Sequence, residues 1–345
     1  MYPLELLVRP NIRDLKPYSS ARDEYKGMAA EVFLDANENP YNEPFNRYPD
    51  PLQLELKKIV APVKQVAPEN IFFGNGSDEA IDLLFRIFCR PQIDNVVAIS
   101  PTYGMYEVCA NINDVEYRKV SLNEDFSLNA DKLLMECDGN TKLIFICSPN
   151  NPTGNAFPRE QIKKVIESFE GIVVVDEAYS DFCDLKPFRT DIGKYPNLVV
   201  LNTFSKAYGS AAIRLGMAFA SEDIIHLYNK VKYPYNVNIL TQKIAKDVLS
   251  DMGMLHHRIV MIKEERELLM AAVSTLPITK ILYPTDANFF LVKVTDADAI
   301  YKYLVANKII VRNRNKVELC GNCLRITIGS KQENSRLLAA LRSFR

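Results

Sequence analysis

The stretch Leu198-Val-Val-Leu-Asn-Thr-Phe-Ser-Lys-Ala-Tyr-Gly-Ser-Ala-Ala-Ile-Arg-Leu-Gly216 passes from four apolar residues into a loop of small and hydroxylated ones. Leu198–Leu201 is apolar on both alternating faces, the pattern of a strand buried between two layers of helices. Lys206 stands just past its end. An amine held there can form a Schiff base, whereas a solvated lysine is the ordinary reading of such a segment taken alone.

The same alternation extends outward. Ile71–Phe73, Asn95–Ile99, Leu143–Cys147, Ile172–Val175 and Met217–Ala220 read as strands. Asp78–Phe88, Arg159–Glu167 and a long amphipathic stretch from Ile239 to Ser274, which Gly253 is expected to interrupt, read as helices. This is the signature of crossover units around a mostly parallel sheet, an α/β fold. Asn288–Val294, Ala297–Asn307, Ile309–Val311, Leu324–Ile328 and Glu333–Arg342 then read as strand, helix, two strands and helix, a small α+β domain. The expected organisation is an arm over 1–35 that packs on the small domain or on a second subunit, a large domain over 36–255 and a small domain over 256–345.

Length and composition agree with two globular domains. The 345 residues carry 42 basic and 43 acidic side chains, for a net charge of −1, and no basic block marks a nucleic-acid or membrane partner. A small-molecule partner is expected. Met1–Pro10 is too quickly interrupted for a signal peptide and no run approaches eighteen apolar residues, which predicts a cytoplasmic location. Seven cysteines without framework spacing suit reduced thiols. Cys320-Gly-Asn-Cys323 lacks a second pair or a nearby histidine and reads as a turn. His226, His256 and His257 have no ligand spacing with Asp, Glu or Cys, so no metal is expected.

Four further segments supply complementary groups. Gly74-Asn-Gly76 follows a strand and opens a helix at Ser77-Asp78-Glu79, so free backbone N–H groups and the helix dipole face an incoming anion; ordinary helix capping is the alternative. Asp176 ends a buried strand, where a carboxylate is costly unless paired with a cation or serving as an interior cap. A protonated pyridine nitrogen is such a cation. Tyr179 and Asn151 are placed to hydrogen-bond a phenolic oxygen, and Asn151, in Ser148-Pro-Asn-Asn-Pro-Thr-Gly154, follows a strand's carboxyl end, where open parallel sheets bind ligands. Tyr103, in Pro101-Thr-Tyr-Gly-Met-Tyr106, is placed to stack on a ring, or to pack in the core. Ser205 and Arg214 add donors to a phosphate. Together with Lys206 these groups meet the needs of pyridoxal phosphate, with Lys206 holding its aldehyde and then moving a proton as general acid-base.

On these motifs, together with Pro17–Arg22, Ala36–Pro40, Asn46–Pro49, Ile309–Asn313 and Cys323–Gly329, the chain resembles the aspartate-aminotransferase-like family of fold-type I pyridoxal phosphate enzymes. The resemblance implies a mostly parallel seven-stranded sheet between helices plus the small domain, assembled as a homodimer. It implies that Ser77, Asp78, Ser205 and Arg214 surround the cofactor phosphate, with Tyr48 arriving from the partner subunit. It further implies transamination between histidinol phosphate and 2-oxoglutarate in histidine biosynthesis, with Arg325 binding the glutamate carboxylate. A phosphate ester replaces that carboxylate in the other substrate, and Arg312 and Tyr18 are the candidates to receive it. Arg314, two residues on, shares the face of Arg312. Three alternatives stay open: an aromatic amino-acid aminotransferase, a threonine-phosphate decarboxylase, and a non-catalytic sensor, the last disfavoured because no basic DNA-binding module is present.

Overall fold

A computed structural model describes residues 3–18 and 32–344. Seven strands form the first sheet: β1 (Ile71–Asn75), β2 (Asn95–Ser100), β3 (Glu116–Ser121), β4 (Thr141–Cys147), β5 (Ile172–Asp176), β6 (Leu198–Thr203) and β7 (Leu215–Phe219). Their order is β1-β7-β6-β5-β4-β2-β3, and only β7 runs antiparallel, against both of its neighbours. The all-apolar strands are explained by what covers them. Alternate residues go to different layers: Val173, Val175, Leu198 and Val200 to one core, Ile172, Val174, Val199 and Leu201 to the other. Each such side chain, fully buried, contributes roughly 1.5–3 kcal/mol.

Four further strands, β8 (Thr279–Leu282), β9 (Phe289–Val294), β10 (Arg312–Asn313) and β11 (Cys323–Thr327), form an antiparallel sheet in the order β10-β11-β9-β8. The helices Ala297–Ala306 and Lys331–Ser343 close a separate small core with it. The long helix Met252–Ser274 belongs to both units: Leu255 packs in the large core, and Leu269 and Val273 in the small one. The expected boundary after residue 255 therefore falls inside this helix.

Several expectations are corrected. The stretch Ile239–Ser274 breaks at Ser250-Asp251 and not at Gly253, because the Asp251 side chain caps the second helix by accepting from the Met254 N–H at 2.8 Å. The segment Ile309–Val311 is not a strand. Lys308 takes a left-handed conformation (φ 61°) and the Ile309 N–H returns to the Leu304 carbonyl, so the segment ends the preceding helix; Ile309 and Val311 enter the small core while Ile310 stays exposed. Strand β3 was not expected: Glu-Tyr-Arg-Lys-Val-Ser is a mostly polar edge strand, without the apolar run that marks its neighbours. The described start of the arm packs on the large unit and not on the small one, since Leu7, Val8 and Ile12 find an apolar surface beside Phe88 and Tyr228. The Cys320–Cys323 turn is as read, with the Cys323 N–H bonded to the Cys320 carbonyl at 2.9 Å.

Candidate active site

The carboxyl ends of β4, β5 and β6 open on a cleft of about 710 Å³ between the two sheets. At one end, the helix Gly76–Phe88 starts against β7. Gly76 has φ 74°, and its N–H donates to the Arg214 carbonyl at 2.6 Å. A Cβ on Gly216 would stand 2.1 Å from Gly76 C and Ser77 N, so the strand meets the helix only because no side chain intervenes. Gly76, Ser77 and Asp78 line the cleft there, presenting first-turn N–H groups. Arg214, itself at φ 51°, reaches Asp78 (Nη2 to Oδ2, 3.2 Å) and Ser205 (Nη1 to Oγ, 3.5 Å). The Tyr103 hydroxyl donates to Asp78 Oδ1 at 3.0 Å.

In the middle, Asp176 is 2% exposed at the tip of β5. The Tyr106 hydroxyl donates to its Oδ2 at 2.7 Å and the Ala178 N–H to its Oδ1 at 3.0 Å. Burial pushes its proton affinity up and these two donors pull it down. Among the described residues no cation is in direct contact with it, the complement a protonated ring nitrogen would supply. The Lys206 ammonium lies 5.5 Å from the centre of the Tyr179 ring. Burial, then the charge of Arg325, lower its proton affinity, against the opposing pull of Asp176. Tyr179 is buried edge-on against Phe289 at 5.1 Å, and burial holds its phenol protonated to unusually high pH.

The opposite wall comes from the small sheet. The Arg325 guanidinium sits 5.2 Å above the Phe289 ring, and its Nη1 donates to Asn151 Oδ1 across the cleft. Burial, then neighbouring Arg314, bring its pKa down to about 10. Arg312 is its cross-strand partner on β10.

Of the residues singled out from sequence, Ser77, Asp78, Tyr103, Asn151, Asp176, Tyr179, Ser205, Lys206, Arg214, Arg312 and Arg325 all line this one cleft. Three do not. Glu79 turns its carboxylate to the Asn75 N–H (2.5 Å) and to Asn236 (3.2 Å), closing the helix start from behind. Tyr48 stacks on Tyr235 at 4.4 Å outside the cleft of its own chain, and Tyr18 is largely exposed outside it. One residue goes unread, and a second is read only as sharing a strand face. Tyr106 follows Tyr103 by one helical turn, and that i, i+3 spacing of tyrosines was the available signal. Arg314 lines the cleft beside Arg312.

The donor set fits pyridoxal phosphate: N–H groups and Arg214 for a phosphate, a buried carboxylate for the ring nitrogen, and an amine of lowered proton affinity for the aldehyde.

The sequence matches the family described as aminotransferase class I and II over residues 21–341. It is 61% identical over 344 residues to a histidinol-phosphate aminotransferase of Bacteroides fragilis, covering 100% of both chains. Among solved structures, it superposes on the histidinol-phosphate aminotransferase of Clostridium acetobutylicum with a TM-score of 0.80 at 23% identity, covering 86% of this chain and 90% of that one. The Sinorhizobium meliloti histidinol-phosphate aminotransferase in complex with pyridoxal-5'-phosphate superposes at 0.77 and 24%, covering 86% and 82%. The glycine-built anion cup, the lysine and the buried carboxylate thus stand in a chain that belongs to the aminotransferase class I and II family.

Proposed function

We propose that this protein catalyses the reversible transamination between histidinol phosphate and 2-oxoglutarate with pyridoxal phosphate as cofactor, a step of histidine biosynthesis. The observation that carries the reading is the cleft's two-sidedness: one wall holds the cofactor groups and the other is cationic. The full-length likeness to histidinol-phosphate aminotransferases supports the choice of substrate.

When bound, the cofactor supplies an aldehyde and an electron-accepting ring. Gly76, Ser77, Ser205 and Arg214 hold its phosphate. Asp176, its carboxylate held by the Tyr106 and Ala178 donors, would hold the proton on the ring nitrogen. Asn151 and Tyr179 orient the phenolic oxygen, and Tyr103 covers the ring face. Lys206, losing its proton at lower pH than an ordinary lysine, accepts the proton from the substrate Cα and returns it one carbon away. Arg325 binds the glutamate carboxylate, and Arg312 and Tyr18 receive the phosphate of the other substrate. Tyr48 completes the site of the partner subunit in a cytoplasmic homodimer, its hydroxyl directed to the neighbouring cofactor phosphate.

The test is to give the purified protein histidinol phosphate, phenylalanine or threonine phosphate, each with 2-oxoglutarate, and to measure glutamate and carbon dioxide separately. Glutamate formed from histidinol phosphate, with a specificity constant at least about tenfold above that for phenylalanine, is the expected result. Preferred use of phenylalanine, or carbon dioxide from threonine phosphate, would replace the reading with one of the two alternatives.

A further inference from the structure

Among the described residues, five basic side chains and two acidic ones line the cleft. Both carboxylates are committed: Asp78 to Arg214 and Tyr103, Asp176 to Tyr106 and the Ala178 N–H. Arg214 belongs to the glycine-built cup and Lys206 to the ring. Arg312, Arg314 and Arg325 are left together at the far end.

Their placement follows from strand geometry. Arg312 and Arg325 face each other across the antiparallel pair β10–β11. Arg314 lies two residues beyond Arg312, where the ladder continues through its N–H to the Cys323 carbonyl at 2.9 Å, so all three side chains leave the same face. Like charges opposite one another on a sheet are destabilising, and among the described residues none of the three forms an ion pair with a carboxylate. Nor are they equivalent. Arg312 is exposed, whereas Arg314 is half-buried, with its Nε enclosed and without a hydrogen-bond partner, as is the Nε of Arg325. Each of these two arginines depresses its own proton affinity by burial first and is then perturbed by another arginine of the trio.

We infer that Arg314 is a specificity-determining residue, the group that fits this cleft to a phosphomonoester dianion rather than to a carboxylate alone. The inference rests on the function proposed above. Two amines use the cleft in turn: glutamate, whose α-carboxylate carries one charge, and an amino alcohol phosphate, whose ester at the corresponding position carries nearly two and offers a third oxygen. Arg325, bonded to Asn151 beside the reacting centre, serves both. The additional charge and oxygen of the phosphate need a further guanidinium beside Arg312, whose solvated side chain is weakened by water, and the half-buried fork of Arg314 supplies it.

The test separates the two half-reactions by single-turnover change in cofactor absorbance. In Arg314→Gln, kcat/KM for histidinol phosphate should fall about tenfold to a hundredfold, chiefly through KM, with the glutamate half-reaction kept within about threefold. Arg314→Lys should recover part of the loss, and should itself show the split in milder form if the glutamine variant does not fold. Equal losses in both half-reactions, or none in either, would overturn the role of Arg314 and leave the proposed function standing. A wild type that does not turn over histidinol phosphate would remove the function on which the inference rests.

Discussion

The two walls of the cleft are built on opposite principles. On the large-sheet side nearly every polar group has a protein partner: Asp176 takes two donors, Asp78 joins Arg214 and Tyr103, and Arg214 reaches Ser205. On the small-sheet side three arginines share one face, and two of them keep an enclosed Nε without a partner. A permanent cofactor and a transient substrate make different demands. A group that stays can be met by a scaffold already satisfied and fixed, at little reorganisation cost. A group that comes and goes is met by charges left unneutralised until it arrives, at a standing cost in repulsion.

The comparison can be broken most decisively at Lys206. Lys206→Ala should abolish turnover, since Ser205 cannot supply the amine, and borohydride treatment of the wild type should fix the cofactor onto Lys206 and on no other lysine. The same variant probes the partner subunit. Mixed with a strongly impaired Tyr48 variant it should regain activity, because one of the two sites in each mixed dimer would carry neither lesion; mixed dimers without regained activity would place Tyr48 in its own chain's function.

A smaller effect is expected at Tyr106. Tyr106→Phe removes a donor to the ionised form of Asp176, so the carboxylate's already raised proton affinity rises further. Turnover should drop about tenfold with KM for histidinol phosphate nearly unchanged, and the pH at which the cofactor's absorbance titrates should move. An unchanged absorbance titration would mean that the wiring of this wall does not tune the carboxylate.

The smallest effect on turnover is expected at Glu177, beneath that wall. Burial, opposed by Arg189, raises its pKa from 4.5 to about 7. A group whose folded value is raised stabilises fully below its ordinary value and loses that contribution as pH climbs through the folded one. Between pH 4.5 and 7 the protein should therefore lose on the order of 3 kcal/mol from this residue, and Glu177→Gln should flatten urea-unfolding stability across that window. A slope unchanged by the substitution would assign it to other groups.

Legibility in the sequence follows the same division. Strands β4, β5 and β6 could be read because burial on both faces leaves only apolar residues, and the cleft-lining Asn151, Asp176 and Lys206 could be singled out because each stands at or just past the end of such a strand. β3 could not, since an edge strand with polar residues carries no such constraint, and neither could the short helices Met105–Ile112 and Ala130–Met135. Asp176 was visible as a carboxylate in an apolar run, but the Tyr106 hydroxyl that restrains it lies seventy residues away, and only the folded sheet joins them. On the other wall, Arg312 and Arg325 can be named from their motif, while the different depths of Arg312 and Arg314, two residues apart on one face, emerge only in the folded sheet. Glu79 was read with the anion cup because it shares its helical turn; the side chain instead turns back to Asn75.

Gly216 sets a limit on how this enzyme can change. With Gly76 C and Ser77 N both 2.1 Å from where its Cβ would be, even alanine would drive β7 away from the helix that begins the anion cup. Chemical variety in the cofactor's phosphate grip therefore cannot arise at this point of closest approach. Diversification of the activity is channelled instead to β10 and the loop after it, where an arginine exchanged for another residue leaves the cofactor's seat untouched, and there a lineage can explore new amines while keeping its chemistry.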